Sequence, residues 1–260
     1  MKVSDIIAVI EEFAPASIQG KWDNTGLQIG SPEQEVRGIL LGFDCTPELV
    51  REAVDSGCDM VITHHPLLFG ALRKVDPSDP VSMALIEAVK GGVAVYSAHT
   101  SADKVIAGVS GAMAVRLGLK DVEVLDPDPG GGTGLGVTGS LPEPLPAQDA
   151  LRLVKDAFGV PVLKTSRPVS CMITKVAMCG GSGSSLIETA RLAGAQLYIC
   201  GDISYHHFFT REGFMIADVG HFESEVEIVN VFYSIIRKKI PNFAVRISTG
   251  LSSSNPIYYF

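Results

Sequence analysis

Six histidines punctuate this chain, in or near the ends of short apolar runs: His64, His65, His99, His206, His207 and His221. Two are adjacent, in "VITHHPLLFG" (61–70), with Pro66 directly behind them. Two others stand four residues before a carboxylate, His99 before Asp103 and His221 before Glu225. Imidazole and carboxylate donors on rigid strand ends are what zinc, manganese, iron and nickel sites use. Any one of these histidines alone reads more simply as a core or surface residue. Taken together they favour metal-supported chemistry.

The spacings carry the reading further. If a helix begins just after each histidine, positions four apart share a face, so His99 with Asp103 and His221 with Glu225 could point the same way. Two plainer readings stand beside this. Thr100-Ser101-Ala102-Asp103 also fits a helix capping box, and Glu225 also fits a first-turn carboxylate favoured by the helix dipole. Adjacent histidines in an ideal strand point to opposite faces. Pro66 biases His65 away from helix and cannot donate to a ladder, which favours a turn just past the strand. On such a turn each ring could serve one of two neighbouring metals joined by a bridging carboxylate.

The elements that must position these residues alternate strand and helix. "GILLGFD" (38–44) reads as a buried strand. "TPELVREAVDSG" (46–57) reads as a helix with Thr46 as N-cap, Pro47 at its first position and Gly57 as its stop. "DMVITHH" and "VAVYSAH" are the next strands, with the helical "PVSMALIEAVKGG" between them, and "AGVSGAMAVRLGL" is a further helix. This is βαβ rhythm and implies a mainly parallel sheet covered by helices. The Gly- and Pro-rich 126–147 segment marks a boundary, or turns around one short strand. A helix over 147–158 and a strand near 160–164 follow.

A weak internal repeat runs through both halves. Strand 38–44, a helix ending at Gly57 and strand "CDMVITHH" correspond to strand 175–179, a helix ending at Gly194 and strand "AQLYICGD". "VAVYSAHTSAD" then corresponds to "FMIADVGHFESE". The fold expected is α/β: two similar α/β lobes with mixed, mainly parallel sheets and a metal cleft between them. The first lobe takes residues 1–125 plus 228–260 and the second takes 126–227. Ligands of open α/β sheets bind outside the carboxyl ends of strands, where these histidines fall.

Composition narrows the functions. The chain has 260 residues, 46% hydrophobic and 19% charged, a globular balance. Its formal net charge is −8 and no lysine–arginine cluster stands out, which disfavours nucleic-acid binding. Five cysteines, an odd number with no CxxC pair, read as reduced core thiols of a cytoplasmic protein. No apolar run approaches membrane-spanning length. "CGGSGSS" (179–185) could cradle a phosphate on free amides, but it lacks a Walker lysine and a third dinucleotide-type glycine. A tight strand-to-helix turn is the favoured reading. There is no Gly-x-Ser-x-Gly elbow.

"WDNTGLQIG" (22–30), "GFDCT" (42–46), "ITHHPLLF" (62–69), "SAHTSAD" (97–103), "GDISYHHF" (201–208), "DVGHFESE" (218–225) and the C-terminal "SSNPIYYF" fall in one order. In this the chain resembles the Nif-three-like dinuclear metal centre proteins, the GTP cyclohydrolase I type 2 homologues, over nearly its whole length. The resemblance implies two α/β lobes in a toroidal homohexamer, with metal sites facing an internal cavity. It implies two divalent metal ions per chain on His64, His65, Asp103, His221 and Glu225, with Glu225 as the bridging carboxylate. His99 becomes a substrate-side or supporting residue, and His206 and His207 become candidates for proton transfer. Trp22, Asp23 and Asn24 close the pocket or pack at a subunit contact. The family block after alanine-histidine often reads Thr-Asn-x-Asp, whereas Ser101 replaces the asparagine here.

Two functions follow as expectations. One is a metal-dependent hydrolase of a small, nucleotide-like substrate, of cyclohydrolase or phosphoesterase type. The other is a non-enzymatic metal-binding, delivery or assembly protein with the same ligands.

Overall fold

The computed structural model describes residues 1–260. The chain divides into two compact units, Met1–Ala102 with Ile228–Tyr258, and Asp103–Glu227 with Tyr259–Phe260. Its strands are β1 (Gly26–Ile29), β2 (Gly38–Leu41), β3 (Met60–Thr63), β4 (Ala94–Ser97), β5 (Lys120–Pro127), β6 (Gly134–Pro146), β7 (Lys164–Thr165), β8 (Met172–Met178), β9 (Leu197–Cys200), β10 (Met215–Asp218) and β11 (Ala244–Ile247). Its helices are α1 (Val3–Phe13), α2 (Pro47–Asp55), α3 (Pro80–Gly91), α4 (Thr100–Asp103), α5 (Val109–Leu117), α6 (Ala147–Phe158), α7 (Ile187–Leu192), α8 (His221–Glu225) and α9 (Ile228–Lys239). No helix is long and apolar enough to cross a membrane.

The first unit holds a five-stranded sheet of order β1-β4-β3-β2-β11. β11, β2, β3 and β4 run parallel, and β1 closes the edge antiparallel to β4. The central strands GILL, MVIT and AVYS are buried at every position. Continuous apolar runs of this kind belong to sheets covered on both faces. Leu40, Val61 and Val95, which are register partners, face α2 and α3 through Leu49, Val50, Ala53, Ala84 and Ala88. α1 and α9 pack on each other, and α9 also packs on β2 and β11. Helix α2 starts as the sequence predicts, with Thr46 Oγ1 accepting from the Leu49 amide at 3.2 Å and Pro47 next in line.

The second unit holds a six-stranded sheet of order β5-β6-β8-β9-β10-β7. The parallel pairing expected from the repeat is present at its centre, β8-β9-β10, while β5-β6, β6-β8 and β10-β7 are antiparallel. One face buries Val176, Met178, Leu197 and Ile199 under α5 and α6. The other buries Ala177, Tyr198, Cys200 and Ile216 beneath Leu186 and Ala190.

Three expectations change. The boundary expected near residue 125 falls between Ala102 and Asp103. The reason is that α5 buries Met113, Ala114 and Leu117 in the second core, and β5 pairs along β6. The Gly- and Pro-rich 126–147 segment is mostly one long strand, Gly134–Pro146. Its register breaks between Ser140 and Leu145, so Pro142 and Pro144 fall where the ladder is interrupted. The strand expected near 160–164 shrinks to Lys164–Thr165, since Pro161 has no N–H to offer a ladder.

Strand order in the first unit is also fixed from the polar side. Asp59, just before β3, accepts from the Arg37 amide at 2.8 Å and from its guanidinium at 2.6 and 3.0 Å, just before β2. The Arg37 hydrogen bonds hold the Asp59 carboxyl below its ordinary range. A carboxylate lowered by folding stabilises the protein above its unfolded pKa, and that part is lost as pH falls through the folded value. Asp59→Asn should therefore lower the urea midpoint near neutral pH. The gap to the unaltered chain should narrow as pH falls below the usual aspartate value.

Candidate metal centre

The first unit brings His64, His65 and His99 together, with one ring nitrogen from each within 4.8 Å of the others. β3 ends at Thr63, so both adjacent histidines lie just past the strand, on the turn that Pro66 favours. The amides of His64 and His65 both donate to the Phe43 carbonyl, at 3.1 and 3.3 Å, which bends the chain there. The Phe43 ring stacks on His64, with centroids 5.8 Å apart, and tilts against His65 at 4.6 Å. His99 follows β4 by two residues.

The Nδ1 atom of each ring meets an oxygen that can only accept. His64 Nδ1 lies 3.0 Å from the Ala98 carbonyl, His65 Nδ1 2.7 Å from Asp44 Oδ1, and His99 Nδ1 2.7 Å from Asp23 Oδ1. A carbonyl or carboxylate has no proton to give, so Nδ1 carries the hydrogen. In the neutral ring the lone pair is then on Nε2. This arrangement is the usual support of a metal-binding histidine, since it fixes both tautomer and ring direction.

Asp23 is more than one partner. Its carboxylate also accepts from the Thr100 amide at 3.0 Å, Thr100 Oγ1 at 2.5 Å, Thr25 Oγ1 at 3.0 Å and the Asn24 amide at 2.7 Å. Burial raises its pKa, but hydrogen bonds from His99 and Thr100 outweigh that and hold it well below the ordinary range. Thr100 therefore spends its hydroxyl on Asp23 and does not cap α4. Ser101, where the resemblance expects asparagine, is fully buried and its Oγ has no hydrogen-bond partner. An unmet buried hydroxyl costs about 1–3 kcal/mol, and this one lies two residues from both His99 and Asp103.

The second unit repeats the device. α8 begins at His221 and puts Glu225 on the same face, with His221 Nε2 at 2.9 Å from Glu225 Oε2. His221 Nδ1 lies 2.7 Å from Asp202 Oδ2. Asp202 holds a left-handed backbone, φ +54°, two residues past β9. A neutral imidazole cannot donate at both nitrogens, so with Nδ1 donating to Asp202 this contact needs a proton held between His221 Nε2 and Glu225, or a metal in its place. Neighbouring ligands about 2.05 Å from one octahedral ion stand about 2.9 Å apart, as His221 Nε2 and Glu225 Oε2 do.

Glu225 is buried and its pocket is made by glycine. A Cβ on Gly181, at φ +58°, would sit 2.2 Å from Glu225 Oε1, and one on Gly180 would sit 3.2 Å from Glu225 Cγ. The Gly180 and Gly181 amides donate to Ser110 Oγ and Ser224 Oγ, at 3.3 and 2.9 Å. The 179–185 turn is thus a carboxylate cradle whose amides are engaged, not an open phosphate nest. Next to it the Cys179 thiol is pushed up by burial, then by Asp103, Cys200 and Glu225. That places Asp103 and Glu225 around the same thiol. Burial also pushes Cys45 and Cys200 up to about 12, which leaves these thiols poor nucleophiles and poor ligands.

His206 and His207 are exposed on the single turn Tyr205–Phe208 and join none of the metal-donor groups. The orienting carboxylates Asp44 and Asp202 were not singled out from the sequence. Their signal is the repeat itself, since each follows a strand through a glycine, in "GFD" and "GD".

The family model of Duf34/NIF3 (NGG1p interacting factor 3) matches residues 1–256. The chain belongs to this family. Among Duf34/NIF3 relatives it is 34% identical, over 86% of this chain and 87% of the relative, to a Clostridium perfringens protein named GTP cyclohydrolase 1 type 2 homolog. It is 31% identical to the Lactococcus lactis protein of the same name, over 99% of both chains. Staphylococcus aureus hypothetical protein SA1388 superposes with a TM-score of 0.91 at 23% identity, over 100% of this chain and 99% of that one. That likeness shows a shared fold. Buried histidine and glutamate side chains of this family member could hold a metal ion.

If the carboxylates fix the donor nitrogens, Asp44→Asn and Asp202→Asn should each lower divalent-metal affinity by about 10- to 100-fold. Calorimetric titration with zinc or manganese reads this, and circular dichroism should stay unchanged. Equal affinity in both variants would make the carboxylates purely structural.

Proposed function

We propose that the chain is a metal-dependent hydrolase of a small, nucleotide-like substrate, of cyclohydrolase or phosphoesterase type, working in the cytoplasm as a toroidal homohexamer. Two divalent ions per chain would be held by His64 and His65 of the first unit and by Asp103, His221 and Glu225 of the second. The observation that carries this reading is the common tether of His64, His65, His99 and His221, each held at Nδ1 by an acceptor. A core histidine needs only one satisfied partner. Four rings set in the same tautomer suit a shared demand on Nε2.

When bound, such ions act as Lewis acids and lower the pKa of water from 15.7 to about 7. The chain supplies the rest. His99, oriented by Asp23, takes a proton at Nε2 from the attacking water and returns it to the leaving group. His206 and His207, exposed on their turn, exchange protons with solvent. The buried walls around Glu225 and Cys179 keep bulk water from the carboxylate. The names of the clostridial and lactococcal relatives support a nucleotide-like substrate.

A second reading, metal storage or delivery without catalysis, draws on the exposure of Asp202 and the half-exposed His221 ring, which give an ion a route in and out. Metal analysis separates the site from the activity. His65→Ala and Asp103→Ala should each bind less metal than the unaltered chain, and equal binding sinks the ligand set. With manganese, zinc or iron loaded, GTP or phosphoester hydrolysis should rise with metal and disappear in Glu225→Gln. If no substrate turns over in the fully loaded protein, the delivery reading stands instead.

A further inference from the structure

Beside His99 the first unit exposes two large aromatic rings. Trp22 is 64% and Phe69 57% exposed, and their centroids lie 5.8 Å apart at a tilt of 55°. Both make T-shaped contacts with the His99 ring, at 5.9 and 6.1 Å. Trp22 and Phe69 bound a groove of about 460 Å³ beside His99, completed by Asp23, Asn24, Leu68 and Leu72.

Exposed aromatic rings in a loop are ordinarily free to swing, but this pair is fixed. Asn24 Nδ2 donates to the Leu68 carbonyl at 2.5 Å, and the Leu68 amide donates to Gln28 Oε1 at 3.2 Å. Gln28 Nε2 returns a bond to the Asn24 carbonyl at 2.6 Å. The loops bearing the two rings are thereby stitched to each other. Trp22 also lies over Gly20, where a Cβ would meet the indole at 3.2 Å, and the Gly20 amide donates to Thr100 Oγ1 at 2.7 Å. The exposed apolar area is held in one shape before anything binds, which reduces the ordering cost of binding.

We propose that Trp22 and Phe69 form a seat for the planar heteroaromatic ring of the substrate. The inference rests on the proposed reading that His64, His65 and His99 serve a small substrate, and it names the part of that substrate they stand beside. Two tilted walls suit a flat ring, which stacks on one and meets the other with its edge. No lysine or arginine lines the groove, and the Asp23 carboxylate is buried behind its own hydrogen bonds. A phosphate is disfavoured there, and an uncharged ring is favoured.

Trp22 is the one tryptophan in the chain, so intrinsic fluorescence reports on the seat alone. The full-length protein would be titrated with guanosine, adenosine and uridine, and separately with ribose 5-phosphate, with hydrodynamic size followed in parallel. At least one nucleoside should quench Trp22 saturably, and ribose 5-phosphate should not. Phe69→Ala should weaken the nucleoside about tenfold or more, the loss expected for one base–aromatic stack, with size unchanged. Phe69 is exposed, so its truncation leaves the core intact, and Phe69→Tyr should retain binding.

Absence of saturable quenching by every nucleoside, or an unaltered affinity in Phe69→Ala, overturns the seat. A change of hydrodynamic size in Phe69→Ala assigns the patch to contacts between copies and overturns it as well. Repeating the titration after chelation with EDTA separates this from the metal reading. Affinity retained within a few-fold supports stacking on the protein, and abolished affinity overturns it. Failure of the metal reading appears only in the metal titrations.

Discussion

Everything distinctive about this chain depends on one constraint: a histidine ring presents Nε2 in a fixed direction when something else holds Nδ1. His64, His65, His99 and His221 are each held at Nδ1, by Ala98, Asp44, Asp23 and Asp202. None of these bonds need contribute more than about 1–3 kcal/mol to stability. Their weight lies in direction, since each selects one tautomer and one ring plane. The strands supply the rest. β2, β3 and β4 run parallel, so the residues after each of them (Asp44, His64 and His65, Ala98 and His99) emerge along one edge. An antiparallel order would have sent alternate members of this set to opposite ends of the sheet.

Much of this was legible in the sequence because local rules governed it. Pro66 marked the turn that frees both histidines from strand alternation, and the four-residue spacing of His221 and Glu225 became one face of α8. Thr46 and Pro47 placed the start of α2. What was not legible involved partners distant along the chain. Asp23 and His99 are 76 residues apart, and only the fold brings them together. Strand β6 was hidden because Gly and Pro usually mark turns, whereas here the prolines fall at an interrupted ladder. The edge between the units was misplaced because α5 continues the rhythm of the first half while burying its apolar face in the second.

The Gly180–Gly181 turn shows how a local motif can be correct in form and different in use. A glycine pair after a strand does bring the backbone close to an anionic group. The anion is the chain's own Glu225, and the two amides that might have met a phosphate are held by Ser110 and Ser224. The absence of side chains at these glycines lets a buried carboxylate keep its place beside His221.

Sulfur is the donor this fold withholds. Cys45 directly follows the carboxylate that orients His65, and Cys179 directly precedes the glycines that cradle Glu225. Burial keeps both thiols protonated. Thiolate is the form that captures copper(I) and the form that peroxide oxidises. With neither thiolate available beside the donor residues near neutral pH, the donors there are nitrogen and oxygen. The same burial spares these cysteines from peroxide, so the donor set does not depend on the redox state of the thiols packed behind it.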